Sequence, residues 1–220
     1  MEVSGYKGFG SRLKNSQVGD VVMFGSFDLP TGTKPNCPEV RMPIVWKIVD
    51  KDSSKMKLFS VYLLDWEGFE FRLGGAVEKA TWKESYIRSL LNETYIKQFF
   101  SESERKAICQ TQVTTVDREE NNHENKVITN DYLFLPSYEE LSQIPHDLMS
   151  SVMPFAESFD DTKPVEVECS YSPWWLRTSA QEDIKIMCVD CDGMPDIEGA
   201  ECYCEEIGIR PMMWIDADLL

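Results

Sequence analysis

The stretch WWLRT at residues 174–178, together with GIRP at residues 208–211, decides how this chain is expected to fold. Each motif lies in an apolar run, which predicts a strand. Between them, an apolar segment at 184–189, the turn pair Asp192-Gly193 and a return through 200–204 predict a hairpin. The last third of the chain is therefore expected to form a compact set of strands.

The composition fits one large domain with a substantial core. Of the 220 residues, 42% are hydrophobic and 11% are aromatic, too many for a disordered chain. The 38 acidic residues outnumber the 22 basic residues and give a formal net charge of −16. A surface with this charge repels phosphate backbones, and no basic cluster in the sequence offsets it. We therefore expect no nucleic-acid partner.

The sequence predicts no contact with membranes. Its beginning, MEVSGYKGFGSRLKNS, lacks the apolar stretch of a signal peptide. No window approaches the roughly 20 apolar residues of a membrane span. A cytoplasmic protein without a membrane partner is therefore expected. The seven cysteines fit this expectation, because an odd number without an export signal is typical of free thiols or metal ligands.

The predicted organisation is a single α+β domain over residues 18–220. Residues 1–17 are rich in Gly, Ser and Lys and predict a flexible arm. Residues 145–173 combine prolines with carboxylates and predict an irregular acidic insertion. Alternating or apolar segments predict strands at 21–24, 44–49 and 57–64.

The clearest helix signal covers residues 82–100. Thr81 followed by Glu84 matches a capping box, in which the side chain of each residue bonds the backbone of the other. Apolar residues at four-residue steps predict that this helix faces the core: Trp82, Tyr86 and Leu90. Two further capping boxes predict short helices: Ser101 with Glu104, and Ser137 with Glu140.

Motifs spread along the chain match, in order, the pattern of a known family. They are Val18-Gly19-Asp20, Thr81-Trp82 with Arg88, Phe134-Leu135-Pro136-Ser137, Trp174-Trp175-Leu176-Arg177-Thr178, Asp192-Gly193 and Gly208-Ile209-Arg210-Pro211. Over about residues 18–216 the chain resembles the bacterial domain-of-unknown-function family numbered 6273. The carboxyl-terminal part of that family is similar to C-type-lectin-like and formylglycine-generating-enzyme-like domains. The resemblance implies a mixed α+β, C-type-lectin-like fold with a largely antiparallel twisted sheet, one long helix and long loops.

The chain departs from the family pattern at two places. After Arg177, residues 178–182 lack the usual Pro-Gly. Four cysteines stand where relatives usually have Tyr, Ser, Val or Asn: Cys188, Cys191, Cys202 and Cys204. The second departure gives the predicted hairpin a set of cysteines that is specific to this chain.

These four cysteines allow several interpretations. Four thiolates are a tetrahedral zinc set. Residues 188 and 191, however, would point to opposite faces of a regular strand, because their positions differ by three. Buried cysteines, exposed free thiols and a cross-strand pair remain alternatives. No metal and no cofactor is therefore predicted.

A redox or formylglycine-generating role needs a thiol whose pKa is lowered by a nearby cation or a helix N-terminus. Carboxylates surround these cysteines instead and are expected to raise their pKa: Asp190, Asp192, Glu201, Glu205 and Glu206. Neither His123 nor His146 has a paired nucleophile in the sequence. No catalytic residue is predicted.

The candidate binding residues lie on the first motif and on the hairpin. Neighbouring side chains of a strand face opposite ways, so either Trp174 or Trp175 should be partly exposed and could stack a ligand beside Arg177. Alternatively, both rings pack in the core, with Arg177 and Arg210 in buried ion pairs. The hairpin contributes further candidates: Asp190, Asp192, Glu201 and Tyr203. Three residues are predicted to be structural: Trp82, Arg88 and Arg210, the last as an anchor to a carboxylate.

The expected function is that of a non-catalytic binding module. By analogy with lectin-like folds, a protein, peptide or saccharide would contact the hairpin at 178–206 and the insertion at 145–173. The alternative is a metal- or thiol-dependent enzyme related to formylglycine-generating enzymes. That alternative predicts a cleft beside the cysteines.

Overall fold

Two five-stranded sheets organise the chain. The computed structural model describes residues 13–29, 41–70, 78–118, 124–157 and 166–220. Within these ranges the strands are β1 (Val21–Asp28), β2 (Arg41–Asp52), β3 (Lys55–Ser60), β4 (Asp65–Trp66), β5 (Ile108–Cys109), β6 (Thr111–Arg118), β7 (Glu124–Asp131), β8 (Val152–Glu157), β9 (Glu166–Tyr171), β10 (Trp174–Ser179), β11 (Lys185–Val189), β12 (Pro195–Glu201), β13 (Gly208–Ile209) and β14 (Met212–Asp216). The helices are few and short, so the architecture is mostly sheet.

The first sheet has the strand order β1-β2-β3-β14-β5, and all its neighbours are antiparallel. Its central strands carry the apolar alternation that the sequence shows. Ile44, Trp46 and Ile48 of β2 are fully buried. The indole N–H of Trp46 donates to the carbonyl of Phe24 in β1, which satisfies the polar atom of a buried ring.

The second sheet contains both motifs that decide the fold. Its order is β12-β11-β10-β13-β4, and only the β10–β13 pair is parallel, through Trp174 and Gly208. A Cβ atom on Gly208 would lie 2.0 Å from Cδ2 of Leu63, so glycine is needed for this close approach. The sheets pack against each other through Phe59 and Trp174, whose ring centroids are 5.7 Å apart. As predicted, the sheets are largely antiparallel.

The predicted hairpin between the two motifs is present as β11 and β12. Its turn is stabilised by Asp190, whose Oδ1 accepts the backbone N–H groups of Asp192 and Met194. Gly193 has φ of +85°, a conformation that favours glycine. The Asp192-Gly193 signal was therefore a correct turn prediction.

The segment 145–173 is more regular than the sequence predicted. Strands β8 and β9 form an antiparallel hairpin within it, preceded by a 3₁₀ turn, His146–Leu148. Residues 158–165 lie outside the described residues. Prolines and glutamates are depleted in strands, so the sequence carries no strand signal here. The hairpin forms because cross-strand pairing overrides these weak local preferences.

The predicted helix at 82–100 is shorter and is not a single α-helix. The helical run covers 86–98 and consists of α1 (Tyr86–Ser89), a π-helical turn (Leu90–Tyr95) and α2 (Ile96–Gln98). It begins at Ser85, whose side chain accepts from the backbone N–H of Arg88. The prediction that Thr81 and Glu84 cap this helix is therefore wrong. Both the backbone N–H and the hydroxyl of Ser85 bond the carbonyl of Trp82, which makes 82–85 a tight turn.

Asn92 lies within the π turn. Its side-chain amide donates to the carbonyl of Arg88, four residues earlier. The same amide donates to the carbonyl of Leu133, and its oxygen accepts from the backbone N–H of Tyr132. Asn92 thus ties the helical run to the chain after β7.

The other two capping boxes are confirmed. Ser101 and Glu104 bond reciprocally at the start of α3 (Glu102–Ala107). Ser137 and Glu140 bond reciprocally before a 3₁₀ helix, Glu139–Gln143. Both are local patterns, and both are present where the sequence placed them.

Most of the predicted arm, residues 1–12, lies outside the described residues, and the rest is held against the domain. Leu13 is buried, and Lys14 forms an ion pair with Asp218 at 3.0 Å. In the part of the chain that the structure covers, no helix is long and apolar enough to cross a membrane.

Candidate functional site

A cleft of about 360 Å³ lies beside the hairpin of β6 and β7. Its lining comes from the β6–β7 hairpin, from both five-stranded sheets and from the segment that contains the 3₁₀ helix: Lys57, Thr111, Gln112, Val113, Thr114, Val116, Lys126, Phe134, Ser137, Glu139, Glu140, Arg177 and Trp214. The volume lies in the range of small-ligand sites. Arg177 is the only predicted site residue in this lining.

The floor of the cleft is a buried ion cluster of Lys57, Glu140 and Arg177. The Lys57 ammonium donates to Oε1 of Glu140 at 2.6 Å, and Arg177 Nη1 donates to Oε2 of the same carboxylate. The side chains of Lys57 and Arg177 are only 7% and 4% exposed. Because Lys57 belongs to β3 and Arg177 to β10, Glu140 joins the two sheets electrostatically.

The capping box with Ser137 fixes the position of the Glu140 carboxylate. Its Oε2 accepts the backbone N–H of Ser137 at 3.0 Å, while its own N–H donates to the hydroxyl of Ser137. The cap thus orients the carboxylate towards both cations. The sequence predicted the cap, but not the second role of its carboxylate.

The protonation of Glu140 follows from two opposed effects. Burial by itself raises the pKa of a carboxyl group, but the attraction of Arg177 and Lys57 outweighs it and lowers the pKa of Glu140 below its usual value. The cluster therefore holds two cations and one carboxylate at neutral pH. It carries one excess positive charge inside a chain with a net charge of −16.

Arg177 also anchors the hairpin that forms one wall of the cleft. Its Nε donates to the hydroxyl of Thr115 at 3.2 Å, and its Nη2 donates to the carbonyl of Thr114 at 3.2 Å. Both cations lie over the ring of Phe134, at 5.7 Å for Arg177 and 5.9 Å for Lys57. The guanidinium is therefore fixed in orientation before any ligand arrives.

Trp174 and Trp175 do not form an exposed stacking surface. Both residues are 0% exposed, so the alternative in which both rings pack in the core is the one found, and neither ring faces solvent. Their indole N–H groups donate to backbone carbonyls, Trp174 to Met149 and Trp175 to Glu67. Trp175 also packs edge-on against Phe69. Because β10 lies in the middle of its sheet and both faces are covered, alternation cannot expose either ring.

The predicted ion pair is found at Arg177 but not at Arg210. Arg210 is fully buried and donates to three backbone carbonyls: those of Ser60, Val61 and Leu148. Its guanidinium stacks on Phe59 and Trp174, at 4.2 and 5.1 Å from the ring centroids. Among the described residues no carboxylate contacts it, so the expected carboxylate anchor is wrong.

Trp82 and Arg88 share one buried partner, Asp131. Oδ2 of Asp131 accepts from the indole of Trp82 at 3.0 Å and from the hydroxyl of Thr129 at 2.6 Å. Oδ1 accepts from Nε of Arg88 at 2.7 Å. Asp131 was not predicted, because nothing in the sequence relates it to residues more than forty positions earlier.

The hairpin candidates lie apart from the cleft. None of Asp190, Asp192, Glu201 and Tyr203 lines it. Asp192 and Glu201 are exposed, whereas Asp190 and Tyr203 are half-buried. Strand β12 is the edge of its sheet, and its bulge at Gly199 is held by Asp196, which accepts the N–H groups of Glu198 and Gly199. A bulge and charges are common protections of an exposed edge.

The four cysteines do not form a metal site. Cys188 and Cys202 are buried, Cys204 is half-buried and Cys191 is exposed, and all four are free thiols. In the ranges that the structure covers, no three His, Cys, Asp or Glu side chains are arranged to hold a metal ion. The zinc alternative therefore has no geometric support.

The buried thiols are poor nucleophiles. Burial, followed by the charges of Asp196 and Asp190, raises the pKa of Cys188 to about 12. Burial and the charge of Glu70 raise the pKa of Cys202 to about 11. Since the thiolate is the reactive form, neither thiol is activated at neutral pH.

Thiol labelling of the native protein should therefore modify Cys191 at least about ten times faster than Cys188 or Cys202. A short exposure to N-ethylmaleimide at pH 7.5, followed by peptide mass mapping, measures the three rates. Protein unfolded in urea is the control, in which all three thiols should react alike. Rapid modification of native Cys188 would show that the thiol is activated and would contradict this account.

A second group of titratable residues lies beside β4. The hydroxyl of Tyr95 donates to Asp65, and Glu70 accepts the backbone N–H of Tyr86 at 3.3 Å. Burial raises the pKa of Glu70 to about 7, and burial followed by the charge of Asp65 raises the pKa of Tyr95. The first contact joins β4 to the π turn, and the second joins the segment after β4 to the start of α1.

The fold and the cleft together define a sheet-rich domain with a cationic pocket in an acidic protein. The sequence profile of the family described as "Domain of unknown function (DUF6273)" matches residues 54–217, about three quarters of the chain. The chain belongs to this family, as the motifs indicated. Every residue of the cleft lies within the matched region. No curated protein and no solved structure shows significant similarity to the chain.

Proposed function

We propose that this protein is a non-catalytic binding module whose ligand occupies the cleft beside β6 and β7. The observation that carries the proposal is the floor of that cleft, where Lys57 and Arg177 are buried around a single carboxylate, Glu140. Burying a charge costs free energy unless an opposite charge and hydrogen bonds compensate it. A fixed, partly compensated cluster that opens onto a cleft is suited to binding.

The lining favours binding over catalysis. Among its described residues there is no cysteine and no histidine, and Ser137 accepts the N–H of Glu140 as part of a helix cap. The described lining therefore offers no thiol nucleophile and no imidazole base. Elsewhere, the raised pKa values of Cys188 and Cys202 argue against the thiol-dependent alternative.

The lectin-like relationship forms part of this proposal. It is supported by the parallel pairing of β10, the Trp-rich strand, with β13, which begins the GIRP motif. The acidic hairpin of β11 and β12 is proposed as an additional contact surface for a protein or peptide. Its support is the exposure of Asp192 in the turn and of most of β12, including Glu201.

Filling the cleft tests the proposed function. Val116→Trp places a large side chain in the cleft without changing its charge, and Val116 is only half-buried on β6, so folding should be preserved. Ile197→Trp on the exposed edge strand is the matched control. Saturation-transfer NMR with benzoate, benzamide and benzylamine measures binding. We expect at least one probe to bind the wild type and the control, and to lose at least about ten-fold in affinity for Val116→Trp.

Two outcomes would count against the cleft as the binding site. In the first, none of the three probes binds the wild-type protein. In the second, a probe binds, but its affinity is the same for Val116→Trp and for Ile197→Trp. Circular dichroism of both variants confirms beforehand that they are folded.

A further inference from the structure

The charges of the cleft point to a particular ligand class. Three cations line it, Lys57, Lys126 and Arg177, against two carboxylates, Glu139 and Glu140. One positive charge therefore remains in excess among the described residues of the lining. In the low-dielectric surroundings of a cleft, a single negative charge is attracted strongly, whereas a second negative charge on the same ligand would remain uncompensated.

Hydrogen-bond donors remain for such an anion. The guanidinium of Arg177 has five N–H donors and makes four hydrogen bonds, to Thr115, Leu135, Glu140 and Thr114. The ammonium of Lys57 has three donors and makes two, to Glu140 and Gln143. One donor on each cation has no partner among the described residues. Two donors on neighbouring cations match the two oxygens of a carboxylate.

The walls of the cleft are apolar beside these donors. Val116 and Trp214 are partly exposed within it, and Val113 and Phe134 lie behind them. Trp214 pairs with Lys57 across the β14–β3 ladder, so the ring and the ammonium share one face of the sheet. An apolar surface next to the donors suits a ligand whose charged group is joined to an apolar body.

We propose that the cleft binds a singly charged organic acid, with its carboxylate against Lys57 and Arg177 and its apolar body along Val116 and Trp214. The proposal rests on the proposed function, because it names the ligand class of the same site. It predicts discrimination by charge rather than by shape. A neutral compound of equal shape lacks the charge, and phosphate lacks the apolar body and carries additional charge.

Benzoate and benzamide test the proposal, because they share a ring and differ in charge. Isothermal titration is expected to show that benzoate binds the wild-type protein at least about ten-fold more tightly than benzamide. Inorganic phosphate at equal ionic strength is expected not to displace benzoate.

Two charge-reversal variants test whether the affinity for benzoate depends on the charge of the cleft. Lys126→Glu turns the charge of the cleft negative, and the residue is exposed on β7, so the protein should fold. Lys97→Glu, exposed on α2 and outside the cleft, changes the net charge of the whole chain equally. Benzoate affinity is expected to fall at least about five-fold for Lys126→Glu and to change little for Lys97→Glu. Benzamide binding should not distinguish the two variants.

The contrary outcomes separate this proposal from the proposed function. If benzamide binds as tightly as benzoate and Val116→Trp blocks both, the cleft is a binding site but the ligand class is wrong. If phosphate displaces benzoate with equal affinity, the site binds anions in general, and the organic-acid assignment is overturned. If only benzylamine binds and Val116→Trp blocks it, the cleft is a binding site for another ligand class. If none of the three probes binds the wild-type protein, both proposals are wrong.

Discussion

Replacing Arg210 with alanine is expected to lower the free energy of unfolding by about 4 kcal/mol, a large fraction of the stability of a domain. The substitution leaves the carbonyls of Ser60, Val61 and Leu148 without their buried donor. It also leaves a cavity between Phe59 and Trp174, where the guanidinium stacks. Urea unfolding followed by circular dichroism measures the loss.

Two further variants make this prediction specific. Arg105→Ala removes a guanidinium that donates to the carbonyl of Phe100 at a half-buried position, and should cost less than about 1 kcal/mol. Arg210→Lys keeps the charge but loses the planar fork, and should fall between wild type and Arg210→Ala. It provides the measurement if the alanine variant does not fold. A stability of Arg210→Ala within 1 kcal/mol of wild type, on the scale of an ordinary surface substitution, would contradict the anchoring role.

Replacing Asp131 with alanine is expected to lower the free energy of unfolding by about 3 to 4 kcal/mol. Asp131 is 0% exposed and accepts hydrogen bonds from Trp82, Arg88 and Thr129. Truncation leaves the buried indole N–H and the Arg88 guanidinium without their carboxylate. The loss should appear in urea unfolding, together with a red shift of the native tryptophan fluorescence as Trp82 loosens.

An exposed ion pair provides the matched control for Asp131. Asp28→Ala removes a carboxylate that contacts Arg41 at 3.2 Å, with both side chains about half exposed or more. Exposed pairs contribute less than about 1 kcal/mol, so this variant should be nearly as stable as wild type. If Asp131→Ala and Asp28→Ala lowered the free energy of unfolding equally, the buried contacts of Asp131 would contribute no more than an exposed ion pair, and the prediction would be wrong.

Capping boxes predicted from the sequence form where no tertiary contact competes for the same groups. The boxes at Ser101 and Ser137 each involve residues three positions apart, and both are present. The box at Thr81 has the same form and is absent. There, Trp82 bonds Asp131 and Ser85 bonds Trp82, so contacts from a distant strand and a competing hydroxyl displace the start of the helix.

The candidate site was only partly predictable. Arg177 was identified from the WWLR motif, and Glu140 was identified only as a cap. Lys57 carried no signal beyond a place in a strand. These three residues are far apart in sequence and belong to different elements, so only the packing of the two sheets brings them together around one carboxylate.

The sequence by itself determined the family, the sheet-rich character and the hairpin between WWLRT and GIRP, because these depend on ordered motifs, alternation and turn residues. The tertiary structure alone decided what those motifs do. Both faces of β10 are covered, so Trp174 and Trp175 are core residues rather than a ligand surface. Arg177 near the end of the same motif instead joins the ion cluster, because its guanidinium donates to Glu140 on the floor of the cleft.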